Sequence, residues 1–117
     1  MKKKEYQIRV RVWIEEKEGA FIGMGRLSLL ENIKKTGSIS SAAKRLNMSY
    51  RKAWQLVKDM NARANMPLVD IKLGGNGGGG STVTKAGEET MKSFYLLQEK
   101  INKYADELSG NTNFDFF

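Results

Sequence analysis

The sequence contains no cysteine, no histidine and only one proline, Pro67, among 117 residues. Without thiols and imidazoles, disulfides, zinc fingers and catalysis by a cysteine or a histidine are excluded. No run of 18 apolar residues occurs, so the sequence predicts no transmembrane helix. These absences argue against most classes of enzyme. We expect a non-enzymatic, cytoplasmic protein without a metal or another cofactor.

Positive charge is concentrated in the first half of the chain. Residues 1–60 carry 14 basic and 6 acidic side chains, whereas residues 61–117 carry 6 basic and 7 acidic ones. Residues 44–58 hold five positive charges and no negative charge. Such a basic stretch is typical of a nucleic-acid-binding surface. A basic helix on a membrane surface is the competing interpretation. Such a helix needs a wide face of large apolar residues, whereas the apolar face of this segment is small. We therefore expect no membrane partner.

Residues 37–60 have the pattern of a helix-turn-helix. Ser38 and Ser49 are good N-cap residues, and each precedes apolar residues at helical spacing. These residues are Ile39, Ala42, Ala43 and Leu46 in the first helix and Ala53, Leu56, Val57 and Met60 in the second. Arg51, Gln55 and Lys58 fall opposite the second apolar face, as contact with base edges and phosphates requires. A helical hairpin with a solvated, charged face would show the same pattern.

A glycine-rich hairpin follows this unit. Residues 68–73 and 81–84 read as two strands, and six of the chain's 12 glycines lie between them, in positions 74–80. Because glycine lets a backbone approach a phosphate closely, the hairpin is typical of a DNA-binding wing. A hairpin tip without any contact is the alternative. A P-loop is not indicated, because no lysine ends the glycine run.

The two ends of the chain predict a strand and a long helix. Alternation from Tyr6 to Ile14 predicts a strand, with residues 20–22 as its partner. A helix capped by Thr84 runs to residues 109–110 and spans roughly 35 to 40 Å. A small domain cannot cover that length, so we expect a second copy on its apolar face. The predicted dimer-interface residues are Met91, Phe94, Leu97, Ile101, Tyr104, Ala105 and Leu108. Folding of this face onto the N-terminal strand is the alternative.

Several short motifs resemble one known family. They are Gly-Ser-Ile-Ser at 37–40, Ala42-Ala43, Ser49-Tyr50, Ala53-Trp54, Met60-Asn61, Leu68-Val69, and GGNGGGG followed by a helix start at residues 84–87. Over roughly residues 20–109 the chain resembles the DNA-binding domain of the ModE-type, molybdate-responsive regulators, which is distantly similar to the LysR-type helix-turn-helix. The resemblance implies a dimeric winged-helix regulator with the N-terminal strand and the long helix at the dimer interface. Family members continue into molybdate-binding domains, for which residues up to Phe117 leave no room, so we expect no molybdate binding in this chain.

Together these patterns predict a mainly α fold with a small β component. Residues 1–24 form an N-terminal strand or hairpin, 25–84 a winged helix-turn-helix with its wing at 68–84, 85–110 a dimerisation helix, and 111–117 a tail. We expect a homodimeric, sequence-specific regulator that places a recognition helix, about 49–64, in the major groove of double-stranded DNA. The predicted DNA contacts are Ser38, Ser40, Lys44, Arg45, Ser49, Tyr50, Arg51, Lys52, Gln55, Lys58, Lys72, Asn76, Gly77 and Gly78.

Two functions from other classes stay open at this point. In the first, the glycine-rich loop is a nest of backbone N–H groups, and the protein is an oxyanion-sensing module. In the second, the winged fold is a protein-interaction adaptor that binds a partner through the long helix.

Overall fold

The computed structural model describes residues 4–72 and 80–117 of the chain. Along these residues the elements are β1 (Trp13–Glu16), β2 (Gly19–Gly23), α1 (Met24–Thr36), α2 (Ile39–Arg45), α3 (Tyr50–Arg63), β3 (Val69–Lys72), β4 (Gly80–Val83) and α4 (Lys85–Asn111). β1 pairs with β2 and β3 pairs with β4, each in an antiparallel sheet of two strands. The predicted α+β winged helix-turn-helix is confirmed.

The core forms where α1, α2 and α3 pack together beneath β2 and the start of α4. The inward positions of α1 are fully buried, as their spacing predicts: Leu27, Leu29, Leu30 and Ile33. α3 contributes Ala53, Val57 and Met60, and α2 contributes Ile39, Ala42 and Ala43. Leu46 and Leu56, which were expected in the same faces, are half-buried at the margin of the core. One continuous apolar core therefore holds the helix-turn-helix.

The helix ends follow local rules that the sequence already shows. Ser38 Oγ accepts the Ser41 N–H at 3.1 Å, and Ser49 Oγ accepts the Lys52 N–H at 3.1 Å, so both predicted N-caps are confirmed. After α2, Asn47 adopts a left-handed φ of 53°, and the Met48 N–H donates to the Ala43 carbonyl at 2.9 Å. This is a Schellman ending with asparagine in the usual place of glycine. It fixes the turn that leads into α3.

Hydrogen bonds and a close backbone contact join the base of the wing to the helices. The Asn61 amide donates to the Val69 carbonyl at 3.0 Å, and its oxygen accepts the Leu68 and Val69 N–H groups at 2.8 and 3.1 Å. On the other strand, the Ser81 N–H donates to the Gly37 carbonyl at 2.9 Å. Gly87 lies so close to Leu68, the residue before β3, that an added Cβ would overlap the Leu68 carbonyl oxygen. These contacts set the orientation of β3 and β4 relative to α3.

Replacing Asn61 by alanine should lower the thermal stability of the protein. The change leaves the Leu68 and Val69 N–H groups without their acceptor, which costs about 1–3 kcal/mol for each buried group that water does not reach. Asn65→Ala is the matched control, because Asn65 is exposed and its side chain forms no hydrogen bond with the rest of the described chain. Equal melting temperatures for the two variants would contradict the anchoring role of Asn61.

The N-terminal strand prediction over residues 6–14 is wrong except at its last two residues. Residues 4–12 are not strand, because within the described chain β2 ends at Gly23, opposite Trp13, and offers them no partner. They follow the distal half of α4 instead. The Ile8 N–H donates to Ser109 Oγ at 2.8 Å, and the ring of Tyr6 stacks on Phe114 with centroids 5.3 Å apart. The alternating pattern thus marks an extended segment rather than a paired strand.

The two halves of α4 have different surroundings. The first half packs on α1 and β4, which buries Met91 and Phe94 in the core of their own chain. The prediction that these two residues lie at a dimer interface is therefore corrected, because neither is available to a second copy. Farther along, Ala105 is buried and Ile101 is half-buried. The predicted residues that stay exposed are Leu97 (39%), Tyr104 (62%) and Leu108 (38%).

Candidate nucleic-acid interface

The exposed face of α3 carries the residues that the sequence predicts to contact DNA. Tyr50, Arg51, Lys52, Gln55 and Lys58 are all exposed, and the opposite face is buried through Ala53, Val57 and Met60. The helix is therefore held by one side and presents the other to solvent. Ser49 caps the helix, and the first three residues of α3, Tyr50 to Lys52, are exposed.

Five cations of the helix-turn-helix have no acidic partner among residues 4–72 and 80–117. Within the described ranges, none of the following forms an ion pair: Lys44, Arg45, Arg51, Lys52 and Lys58. All five are exposed. A free cation on a surface is available to phosphate or to the edge of a guanine, whereas a paired one must first give up its partner. This part of the surface is electrostatically suited to a polyanion.

The remaining predicted contacts occupy different positions. Ser40 is exposed, while Ser38, the N-cap of α2, is half-buried. Lys72 is exposed at the end of β3. Asn76, Gly77 and Gly78 lie outside the described residues. The structure thus brings the cations of α2 and α3 onto one helix-turn-helix and places Lys72 at the adjoining wing.

A network of four charged side chains flanks α3, and sequence analysis missed it. Asp59 Oδ2 accepts from Arg26 Nη1 at 2.5 Å and from Arg63 Nε at 2.9 Å, and Arg63 Nη1 donates to Glu16 Oε1 at 2.9 Å. The signal available in the sequence was the i, i+4 spacing of Asp59 and Arg63. The partners Arg26 and Glu16 come from α1 and β1, and their participation depends on the tertiary fold.

This network compensates the charge of Asp59, the acidic residue beside the exposed face of α3. Hydrogen bonds from Arg63, and then from Arg26, hold the pKa of the Asp59 carboxyl below its ordinary value. In turn, the hydrogen bond from Arg63 to Asp59 raises the pKa of the Arg63 guanidinium. Because the folded-state pKa of Asp59 is lowered, its stabilising effect is present above the ordinary carboxyl pKa and is lost as the pH falls through the folded value. At neutral pH the carboxylate next to Lys58 is paired on both sides.

No helix within residues 4–72 and 80–117 has both the length and the apolar content that crossing a membrane requires.

Comparison with known proteins agrees with this geometry. The sequence profile of the bacterial regulatory helix-turn-helix proteins of the lysR family matches residues 24–88, which begin with α1 and end in α4. The chain is 36% identical over 100 residues to the molybdenum-pterin-binding protein MopB of Rhodobacter capsulatus, covering 86% of this chain and 37% of that protein.

Two further relatives are named as regulators. The DNA-binding transcriptional dual regulator ModE of Escherichia coli K12 is 34% identical over 105 residues, with 90% of this chain and 40% of that protein covered. For the transcriptional regulator ModE of Yersinia pestis the identity is 34% over 106 residues, with 91% and 40% covered. The chain spans about two fifths of the length of these relatives. It belongs to the bacterial regulatory helix-turn-helix proteins of the lysR family, and its fold is that of a ModE-type DNA-binding domain.

Proposed function

We propose that the chain is a sequence-specific regulator of transcription that binds double-stranded DNA with α3 in the major groove. The observation that carries the proposal is the face of α3 on which Arg51, Gln55 and Lys58 are exposed, opposite the face that packs into the core. The role is one of binding and not of catalysis. A regulator of chromosomal genes works where the DNA is, so we place the protein in the cytoplasm.

Each part of the basic surface has its own role in this proposal. Arg51 lies in the first turn of α3, where recognition helices contact base edges, and its guanidinium can donate to O6 and N7 of one guanine. Lys58 lies two turns later and contacts phosphate, as do Lys44 and Arg45 on α2. Ser38, Ser40, Ser49, Tyr50, Lys52 and Gln55 complete the major-groove contacts. The wing, with Lys72, Asn76, Gly77 and Gly78, contacts a neighbouring groove or phosphate.

We propose further that the chain binds DNA as a homodimer. Leu97, Tyr104 and Leu108 stay exposed along the distal half of α4, at 39%, 62% and 38%. Ile101 and Ala105 lie beside them on the same helix. The unpaired residues 6–12, with Val10 42% exposed, run along this part of α4. A second copy covers both features in one symmetric contact.

Molybdate is not assigned to this domain. The names of some relatives refer to molybdenum, but those proteins extend far beyond the region that matches this chain. We propose DNA as the ligand of the described surface, with no molybdate binding by the domain itself. The glycine-rich loop that an oxyanion-sensing module would use lies outside the described residues.

Arg51→Ala should weaken the specific site much more than random DNA. Losing one bidentate contact to guanine costs about 1–3 kcal/mol of discrimination, which is roughly 5- to 150-fold in affinity. Lys58→Ala should weaken both kinds of DNA about equally and make the log–log salt slope shallower by about one unit for each bound subunit. The measurement is fluorescence anisotropy on a duplex that the wild-type chain selects from a randomised library and on an unselected duplex.

Lys92→Ala is the matched control for both substitutions. Lys92 is exposed on α4 and removing it lowers the net charge by the same amount, but it lies outside the helix-turn-helix. It should change neither the affinity ratio nor the salt slope appreciably. If Arg51→Ala lowers both affinities alike, Arg51 contacts phosphate. The contact with base edges is then assigned to Tyr50, Lys52 or Gln55.

A further inference from the structure

Two sets of polar contacts join the β1–β2 hairpin to the flank of α3. In the first set, Glu16 of β1 forms an ion pair with Arg63 of α3. In the second set, Arg26 of α1 donates to the carbonyls of Ala20 and Phe21 in β2, at 3.1 and 3.3 Å, and to Asp59 of α3. Because Asp59 also accepts from Arg63, the two sets are connected. The hairpin is thus linked to α3 at two residues that lie one helical turn apart.

The contact between the hairpin and α3 is close and partly shielded from water. The guanidinium of Arg63 lies over the turn at Gly19, so near that an added Cβ would be 3.1 Å from its Nη2. Side chains of the four charged residues are only 20–34% exposed. Partly buried pairs of this kind are screened by salt much less than exposed ones. The restraint is therefore less sensitive to salt than a fully exposed ion pair would be.

The position of α3 about its own axis matters more for base reading than for phosphate attraction. Side-chain tips lie about 5–6 Å from a helix axis, so a rotation of roughly 20° moves them by about 2 Å. A hydrogen bond to a base edge tolerates a range of only about 0.5 Å in distance. Attraction between a cation and a phosphate falls slowly with distance and survives such a shift. A device that fixes the rotation of α3 acts selectively on specific binding.

We propose that Glu16, Asp59 and Arg63, with Arg26, are positioning residues for DNA recognition that lock α3 at the rotation its base contacts need. This inference rests on the proposed function. None of the four needs to touch DNA for the effect, and Glu16 is in the hairpin, outside the helix-turn-helix. For the two carboxylates, of Glu16 and Asp59, the proposal and simple electrostatics predict opposite changes in affinity for the specific DNA site. Removing a negative charge from a DNA-binding protein should tighten binding to all DNA by electrostatics alone, whereas loss of the lock weakens the specific complex.

The test uses the full chain and two duplexes, one enriched by the wild-type chain from a randomised library and one unselected. Glu16→Gln should weaken binding to the enriched duplex about tenfold, with no loss on the unselected one. Asp59→Asn should act in the same direction. Glu18→Gln is the matched control, because it changes the charge by the same amount two residues away and Glu18 forms no ion pair within the described chain. It should not lower the affinity ratio.

A double-mutant cycle shows whether Glu16 acts through Arg63. In an Arg63→Gln background, Glu16→Gln should cause no further loss on the enriched duplex. If these residues only stabilise the fold, the substitutions should lower the melting temperature. Affinities for the two duplexes, both measured well below the melting transition, should then fall together. Should Arg63→Gln not fold, the Glu16 and Asp59 variants decide by themselves. An unchanged affinity ratio in both of these variants would overturn the proposal, whereas a wild-type chain that enriches no sequence would remove the proposed function instead.

Discussion

Raising the salt concentration from about 50 to about 200 mM should weaken binding of duplex DNA by on the order of 10³-fold. Each phosphate that a lysine or arginine neutralises releases condensed counterions, at a log–log slope of about −0.9 per contact. In the proposed complex, several such contacts per subunit come from the cations on α2 and α3, which are exposed and form no ion pair within the described residues. The proposed dimer doubles the number. The chain's net charge of +7 adds long-range attraction in the same direction.

An anisotropy titration at four or more salt concentrations measures this slope. A double variant, Lys44→Gln with Lys58→Gln, should make it shallower, while Lys92→Gln together with Lys100→Gln removes equal charge from α4 and serves as the control. Binding that does not depend on salt, or no binding at low salt, would remove the DNA-binding proposal. The protein-interaction adaptor would then be the better interpretation of the exposed face of α4.

Leu97→Asp combined with Leu108→Asp should convert the dimer to monomers and lower affinity for the enriched duplex by about 100-fold or more. Two linked binding sites gain roughly 10²–10⁴ in affinity over a single one, and a monomer forfeits that gain. A carboxylate in an apolar contact is unpaired and desolvated, which opposes association. Both leucines are more than a third exposed within the chain, so the fold of the monomer should survive.

Leu96→Asp is the control for this prediction. Leu96 is 53% exposed on the same helix, but at about 100° per residue it points well away from Leu97 and Leu108. It should leave the dimer intact. Sedimentation analysis at micromolar concentration and circular dichroism, run on all variants, separate dissociation from unfolding. A monomeric wild-type protein, or a double variant that remains dimeric, would contradict the proposed interface.

The helix-turn-helix is the part of the molecule that its own sequence specifies most completely. Ser38 and Ser49 cap α2 and α3 because a side-chain oxygen needs only the N–H groups of the next turn, which are local. The buried faces of α1 and α3 follow from apolar spacing alone, because a helix turns by a constant angle per residue. The same regularity put Arg51, Gln55 and Lys58 on the exposed face. All candidate contacts within the described helix-turn-helix are at or near the surface for this reason.

The tertiary structure decided the features that depend on a partner distant in sequence. Alternation at residues 6–12 specifies two faces but not a neighbour, and without a pairing strand in the described chain the segment follows α4. Met91 and Phe94 share the helical stripe of Leu97, yet only the packing of α4 on α1 and β4 assigns them to the core. The sequence alone showed Asp59 only as one more charged residue of α3. Its pairing with Arg26, 33 residues away, and the link from Arg63 to Glu16, 47 residues away, arise because the fold brings β1, α1 and α3 together. Periodicity and caps act within a few residues, whereas burial and ion pairing are set by what lies across the interface.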